Sequence, residues 1–249
     1  MLPILNSDTI NPSNIFKESK RPAGQNNVKW LQEHLCKKKG YLNLLLLGGR
    51  SLVDYRLRIA QSHLRDDMTP SSWSSVLIVT NIEKNFEMTE LIEISLDLKK
   101  VFDVSISNNA VNDMSTIKSY ANANKYPNIA VLSFMCDVDK IKNAINIYKK
   151  NRGNNDSYEH ILKWLGFIIG VGKSSNPLFE GYGIPSAVFA ETIVNSIGFE
   201  LTPGLPNAIS TPEAIWQSAR WWKEFHVSKE EKGISGYYSR SHEISYYEK

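Results

Sequence analysis

The stretch Tyr41-Leu42-Asn43-Leu44-Leu45-Leu46-Leu47-Gly48-Gly49-Arg50 frames the reading of this chain. Its leucine run stops at two glycines, far short of the roughly 20 apolar residues a membrane helix needs, and reads as a buried strand over Tyr41–Leu47. Upstream, Val28–Lys39 suits a short helix with Trp30, Leu31 and Leu35 on one side and three lysines in its last turn. Residues 1–25 are rich in Asn, Ser, Pro and Lys without apolar periodicity, and read as an arm lying on the surface or on a partner. Downstream, Leu52–Arg65 carries apolar residues at helical spacing. Met68–Ser72 is a turn, and Ser75–Thr80 (SVLIVT) is a second buried strand.

Leu91–Leu96 alternates apolar and polar residues as a half-buried strand does, and Val101–Ile106 and Asn128–Phe134 are further strand candidates. Between these two, Met114–Ala121 reads as a helical turn. Asp137–Asn151 and Ser157–Ile169 read as helices, and Asn176–Ile184 as a loop. Ser186–Ile197 is a patterned helix closed by Gly198. Thr211–Phe225 is a final helix, with Thr211 as cap, Pro212 at its first position and Glu213 in its first turn. No structure is assigned to the charged, Ser- and Tyr-rich stretch His226–Lys249. The order implies an α+β fold, an antiparallel sheet with helices against one face. It divides into an arm and short helix over 1–40, a domain over 41–225 and a polar tail over 226–249.

Composition narrows the function classes. The net charge of +3, from 29 basic and 26 acidic side chains, gives no electrostatic reason to expect nucleic acid or an anionic membrane as partner. The first residues show no basic segment followed by an apolar one and a cleavage site, so a cytoplasmic protein is expected. Cys36 and Cys136 are the only cysteines, too few for a disulfide framework or a zinc site, and read as structural. Gly48-Gly49-Arg50 lacks the Lys-Ser/Thr ending of a phosphate-binding loop. Neither a cofactor nor a metal is expected. Arg56, Arg58 and Arg65 read as an exposed basic helix face pairing with Asp54 and Asp66, His63 as a solvated or capping histidine, and Asp66-Asp67 as solvated carboxylates. Trp216 and the adjacent Trp221-Trp222 fit core packing, with one of them turned outward as an anchor for a partner.

Five segments in order carry a resemblance: LLLLGGR; TPSSWSSVLIV (Thr69–Val79); the pair LIEIS and NNAV; YPNIAVL (Tyr126–Leu132); and Gly183–Trp222, which contains GIPSAVFAETIVNSIGFELTPGLPN and STPEAIWQSARWW. Together, over about residues 41–225, they resemble the circularly permuted papain-like branch of the NlpC superfamily, of YiiX and YaeF type. In that branch the histidine strand comes first and the cysteine helix later.

The resemblance implies attack by a thiolate at a helix N-terminus on an amide, ester or thioester carbonyl. A strand-borne histidine shuttles the proton and a third polar group orients it. Carried over, the nucleophile position is Ser186, the base position Ser75 and the orienting position Glu93. Two of the three depart from the pattern. A serine there needs a base within hydrogen-bond reach, since the helix dipole contributes only about 0.3–2 kcal/mol. Loss of a nucleophile or its base costs on the order of a million-fold in kcat. The expected function is therefore a degenerate domain acting as a binding or scaffolding subunit, with protein partners held through the N- and C-terminal arms. The alternative is an active papain-fold hydrolase with its nucleophile at Ser186, native or in place of Cys.

Overall fold

The computed structural model describes residues 17–96, 108–150, 156–170, 172–228 and 235–245, with residues 222–228 in backbone only. In chain order its regular elements are β1 (Lys17–Glu18), α1 (Asn27–His34), β2 (Tyr41–Gly48), α2 (Leu52–Ala60), β3 (Ser75–Asn81), β4 (Glu90–Glu93), β5 (Asn112–Thr116), β6 (Asn128–Met135), α3 (Val138–Lys150), α4 (Ser157–Ile169), α5 (Pro185–Asn195), α6 (Pro212–Ser228) and β7 (Ser235–Ser239). They form an α+β fold. The strands make one sheet in the order β1-β7-β6-β2-β3-β4-β5, antiparallel throughout except where β1 meets β7. The strand expected over Val101–Ile106 and most of the N-terminal arm lie outside the described residues, as do the side chains of Trp222 and His226.

The unbroken leucines of β2 follow from its central place. Leu42, Leu44 and Leu46 point to the face covered by α2 to α6, where they meet Val76, Ile78, Phe189 and Trp164. Leu45 and Leu47 point the other way, to Val28, Trp30 and Leu31 of α1 and to Phe86, Ile117 and Tyr120 from two short 3-10 turns. A strand buried on both faces loses the alternation of a half-buried one. Helices were expected on one face only, and α1 corrects this: its apolar side closes the second face.

Local chemistry sets the ends of the elements. Asn26 caps α1, its Oδ1 accepting from Lys29 N at 3.0 Å. Ser51 and Asp54 cap each other reciprocally at the start of α2. At α6, Thr211 Oγ1 accepts from Ala214 N at 3.0 Å ahead of Pro212, as expected from sequence. Gly198, at φ +87°, supplies the left-handed turn after α5.

Three further expectations change. Met114–Ala121 is not a single helical turn: β5 runs to Thr116, with Ser115 opposite Leu91, and only Ile117–Tyr120 is 3-10. The stretch after residue 226 supplies β7, paired to β6 from Ile129↔Ser239 to Ser133↔Ser235. The arm supplies β1, and Trp30 Nε1 donates to Ser19 O at 2.8 Å to hold it. The sheet thus takes strands from both sides of the 41–225 segment.

Candidate functional site

α5 begins at Pro185, whose fixed φ and missing N–H suit the first helical position, so Ser186 falls in the first turn. The helix lies across β3. Ser186 is 3% exposed, and its Oγ accepts from Val76 N at 3.2 Å. The neighbouring Ser75 opens β3, opposite Leu47. Glu93 ends β4 and is 4% exposed. Ser186, Ser75 and Glu93 all line one cavity of about 330 Å³. The structure thus brings together the three positions picked out by sequence.

Glu93 Oε1 accepts from Ser115 Oγ at 3.1 Å and from the Tyr120 hydroxyl. Burial first, and the nearby Glu93 charge second, push the Tyr120 phenol well above its ordinary value of about 10. Tyr120 is therefore a neutral donor. Elsewhere in the lining, Asp54 Oδ2 accepts from Ser51 N at 3.1 Å and Ser51 Oγ at 2.6 Å, and its Oδ1 accepts from Ser74 Oγ at 2.6 Å. Gly48-Gly49 lets this part of the lining close. A Cβ on Gly48 would lie 1.9 Å from Ser72 O, and one on Gly49 would lie 2.1 Å from Asp54 Oδ2.

Sequence reasoning missed Asp54, Tyr120, Lys125 and Tyr126 as cavity residues. The Ser-x-x-Asp capping spacing at Ser51–Asp54 was a legible signal for the first, and none marked the others.

Among the described residues lining the cavity, none is a histidine or a cysteine. His63 is exposed and lies against the Phe179 ring, with centroids 4.8 Å apart. His160 Nδ1 is 3.5 Å from Gly183 O, and burial holds its imidazole below the ordinary value. His34 Nδ1 meets Trp30 O at 2.7 Å, and His242 meets Arg58. Cys36 pairs its backbone with the Asn43 side chain. Cys136 follows β6, half-buried, its thiol pushed up to about 11 by burial and by Asp137. It is a poor nucleophile at neutral pH.

The arginines depart from the expected exposed face. Arg58 is 1% exposed, its Nε donating to Ser71 O at 2.6 Å. Arg56 stacks on Phe167 and donates to its carbonyl. Arg65 pairs with Asp67 at 2.9 Å and Glu213 at 3.5 Å rather than with Asp66. Trp216 is buried against Trp73, while Trp221 is 51% exposed. Among the described residues no group of three His, Cys, Asp or Glu side chains could hold a metal ion, and no helix is long and apolar enough to cross a membrane. Compared with family models, with curated proteins and with solved structures, the chain finds no match in any of the three.

Proposed function

We propose that this chain is a circularly permuted papain-like domain of NlpC type without its thiol–imidazole pair, acting in the cytoplasm as a binding or scaffolding subunit of an intracellular assembly. One observation carries the reading. Ser186 and Val76 near the start of β3, 110 positions apart in sequence, meet beside a cavity that Ser75, Ser186 and Glu93 line, in the helix-start, strand and strand arrangement that such a reaction centre requires. The hydroxyl of Ser186 takes the Val76 N–H, and the charged groups in the described lining are Asp54, Glu93 and Lys125. Both carboxylates already accept from hydroxyls, an arrangement suited to holding a ligand by hydrogen bonds. The terminal segments, with β1 and β7 side by side, offer a second contact region for partners.

Restoring the missing chemistry tests this. In the Ser75→His, Ser186→Cys double variant, iodoacetamide should alkylate residue 186 at least about tenfold faster at neutral pH than in Ser186→Cys alone, because a paired imidazole raises the thiolate fraction. Equal rates would mean that positions 75 and 186 do not form a pair. A fluorophosphonate probe should leave the unaltered protein unlabelled. Labelling that disappears in Ser186→Ala would replace the degenerate reading with an active serine hydrolase.

A further inference from the structure

Beyond β7 the chain crosses the start of β6 and ends its described course against α2. Asn128, fully buried and opposite Gly48, fastens this crossing: its Oδ1 accepts from Ser241 N and His242 N, both at 3.0 Å, and its Nδ2 donates to His242 O at 2.8 Å. Ser241 Oγ donates to Pro127 O at 3.0 Å, and Ile244 is buried. The second fastening is Arg58. Its Nη2 donates to His242 O at 3.0 Å, and its Nη1 meets His242 Nδ1 at 3.0 Å and Gly49 O at 3.4 Å.

A guanidinium has only donors, so His242 Nδ1 meets it as an acceptor and carries no proton. Protonation there would remove the acceptor that Arg58 Nη1 uses and set two cations in contact. We propose that residues 240–245 are a pH-released strap, latched by the Arg58–His242 pair and freed when His242 takes up a proton.

Arg58 feels Arg50 as a like charge and Asp54 and Glu243 as opposite charges. Tyr55 shares the surface recess with Arg50 and His242, Arg21 Nη2 reaches Ser241 Oγ at 3.4 Å, Arg65 feels Glu243, and Arg240 stacks on Tyr238. A guanidinium 3.0 Å from Nδ1 opposes a second positive charge there. Arg58 Nη1 is shared between His242 Nδ1 and the Gly49 carbonyl, in the turn that leads into the Ser51–Asp54 part of the cavity lining, so release changes the hold of the guanidinium on that turn. The strap would therefore transmit pH to the cavity, whatever that cavity binds.

The sign follows from linkage. The latched form excludes the proton, whereas the released form has an ordinary histidine pKa of about 6.5. The strap is therefore held above that pH and loosens by up to about tenfold per pH unit below it. Hydrogen-exchange mass spectrometry on the full chain, corrected for intrinsic rates, reads this as protection of residues 241–245 against that of β2 and β6. Protection in the unaltered protein should fall below pH 6.5 while the central strands hold. In His242→Asn, whose amide oxygen replaces Nδ1 as acceptor, protection should stay flat. A flat profile in the unaltered protein, or a parallel fall in His242→Asn, would overturn the strap. An NMR titration of the His242 ring checks it without mutation: a pKa below that of the unfolded chain supports the latch, and one at or above it refutes it.

Discussion

Glu93 and Glu213 are both buried carboxylates, 4% and 0% exposed, yet their surroundings differ. Glu213 lies under the first turn of α6. It accepts from Ser71 Oγ at 2.6 Å and Gln217 Nε2 at 2.7 Å and faces Arg65 at 3.5 Å, while its backbone N–H donates to Gln61 Oε1 at 2.9 Å. These partners come from the segment just after α2 (Gln61 and Arg65), the turn before β3 and α6 itself, so the cluster is a tie between elements. Glu93 is held by the hydroxyls of Ser115 and Tyr120 and lines the cavity. A carboxylate sealed among donors and facing a cation serves the fold. One that accepts from neutral hydroxyls and lines a cavity is placed to face whatever enters.

Mutation separates the two roles. Glu213→Ala should cost about 3 kcal/mol in urea-unfolding stability, because it strips Ser71, Gln217 and Arg65 of a shared charged acceptor. A loss under about 1 kcal/mol would mean that the tie is dispensable. Gly49→Ala should cost about 2 kcal/mol, since the added Cβ needs the space of the Asp54 carboxylate. Its damage should be local, visible as loosened hydrogen exchange in residues 49–54. Glu93→Gln should cost only about 1 kcal/mol, because the amide oxygen still accepts from both hydroxyls. A Glu93 loss as large as that of Glu213 would abolish the contrast.

The smallest effect is in alkali. With the Tyr120 phenol raised above about 10, the stability it contributes is present below that pH and lost as the pH rises through the raised value. An ultraviolet phenolate titration should show a late-ionising fraction that shrinks in Tyr120→Phe. An unchanged titration would place Tyr120 in contact with solvent.

Much of the fold was legible because several segments announce themselves locally. Four leucines before two glycines mark a central strand, Ser157–Ile169 is a helix with the bounds read from sequence, and Thr211-Pro212-Glu213 is a helix start in both composition and geometry. β7 was illegible for a physical reason. Its most buried residues are Gly236 and Ser239, so no apolar alternation marks it, and its pairing depends on distant β6. Arg58 was misread likewise, since its partner His242 lies 184 positions away and nothing near it in sequence reveals the burial. At the site, Ser186 and Ser75 were found through segment order. The Ser51–Asp54 spacing signals a helix cap, whereas Tyr120 enters the cavity only through tertiary packing that sequence spacing does not encode.

The place of β7 also bears on how the molecule is made. Ser235 follows its β6 partner Ser133 by 102 positions, so β6 has only β2 beside it until residues 235–239 have left the ribosome. During that interval an apolar strand edge is exposed to any neighbouring nascent chain. Chaperone capture should therefore peak late in synthesis, and arrest just before residue 235 should yield a chain far more prone to aggregate than arrest just after residue 245.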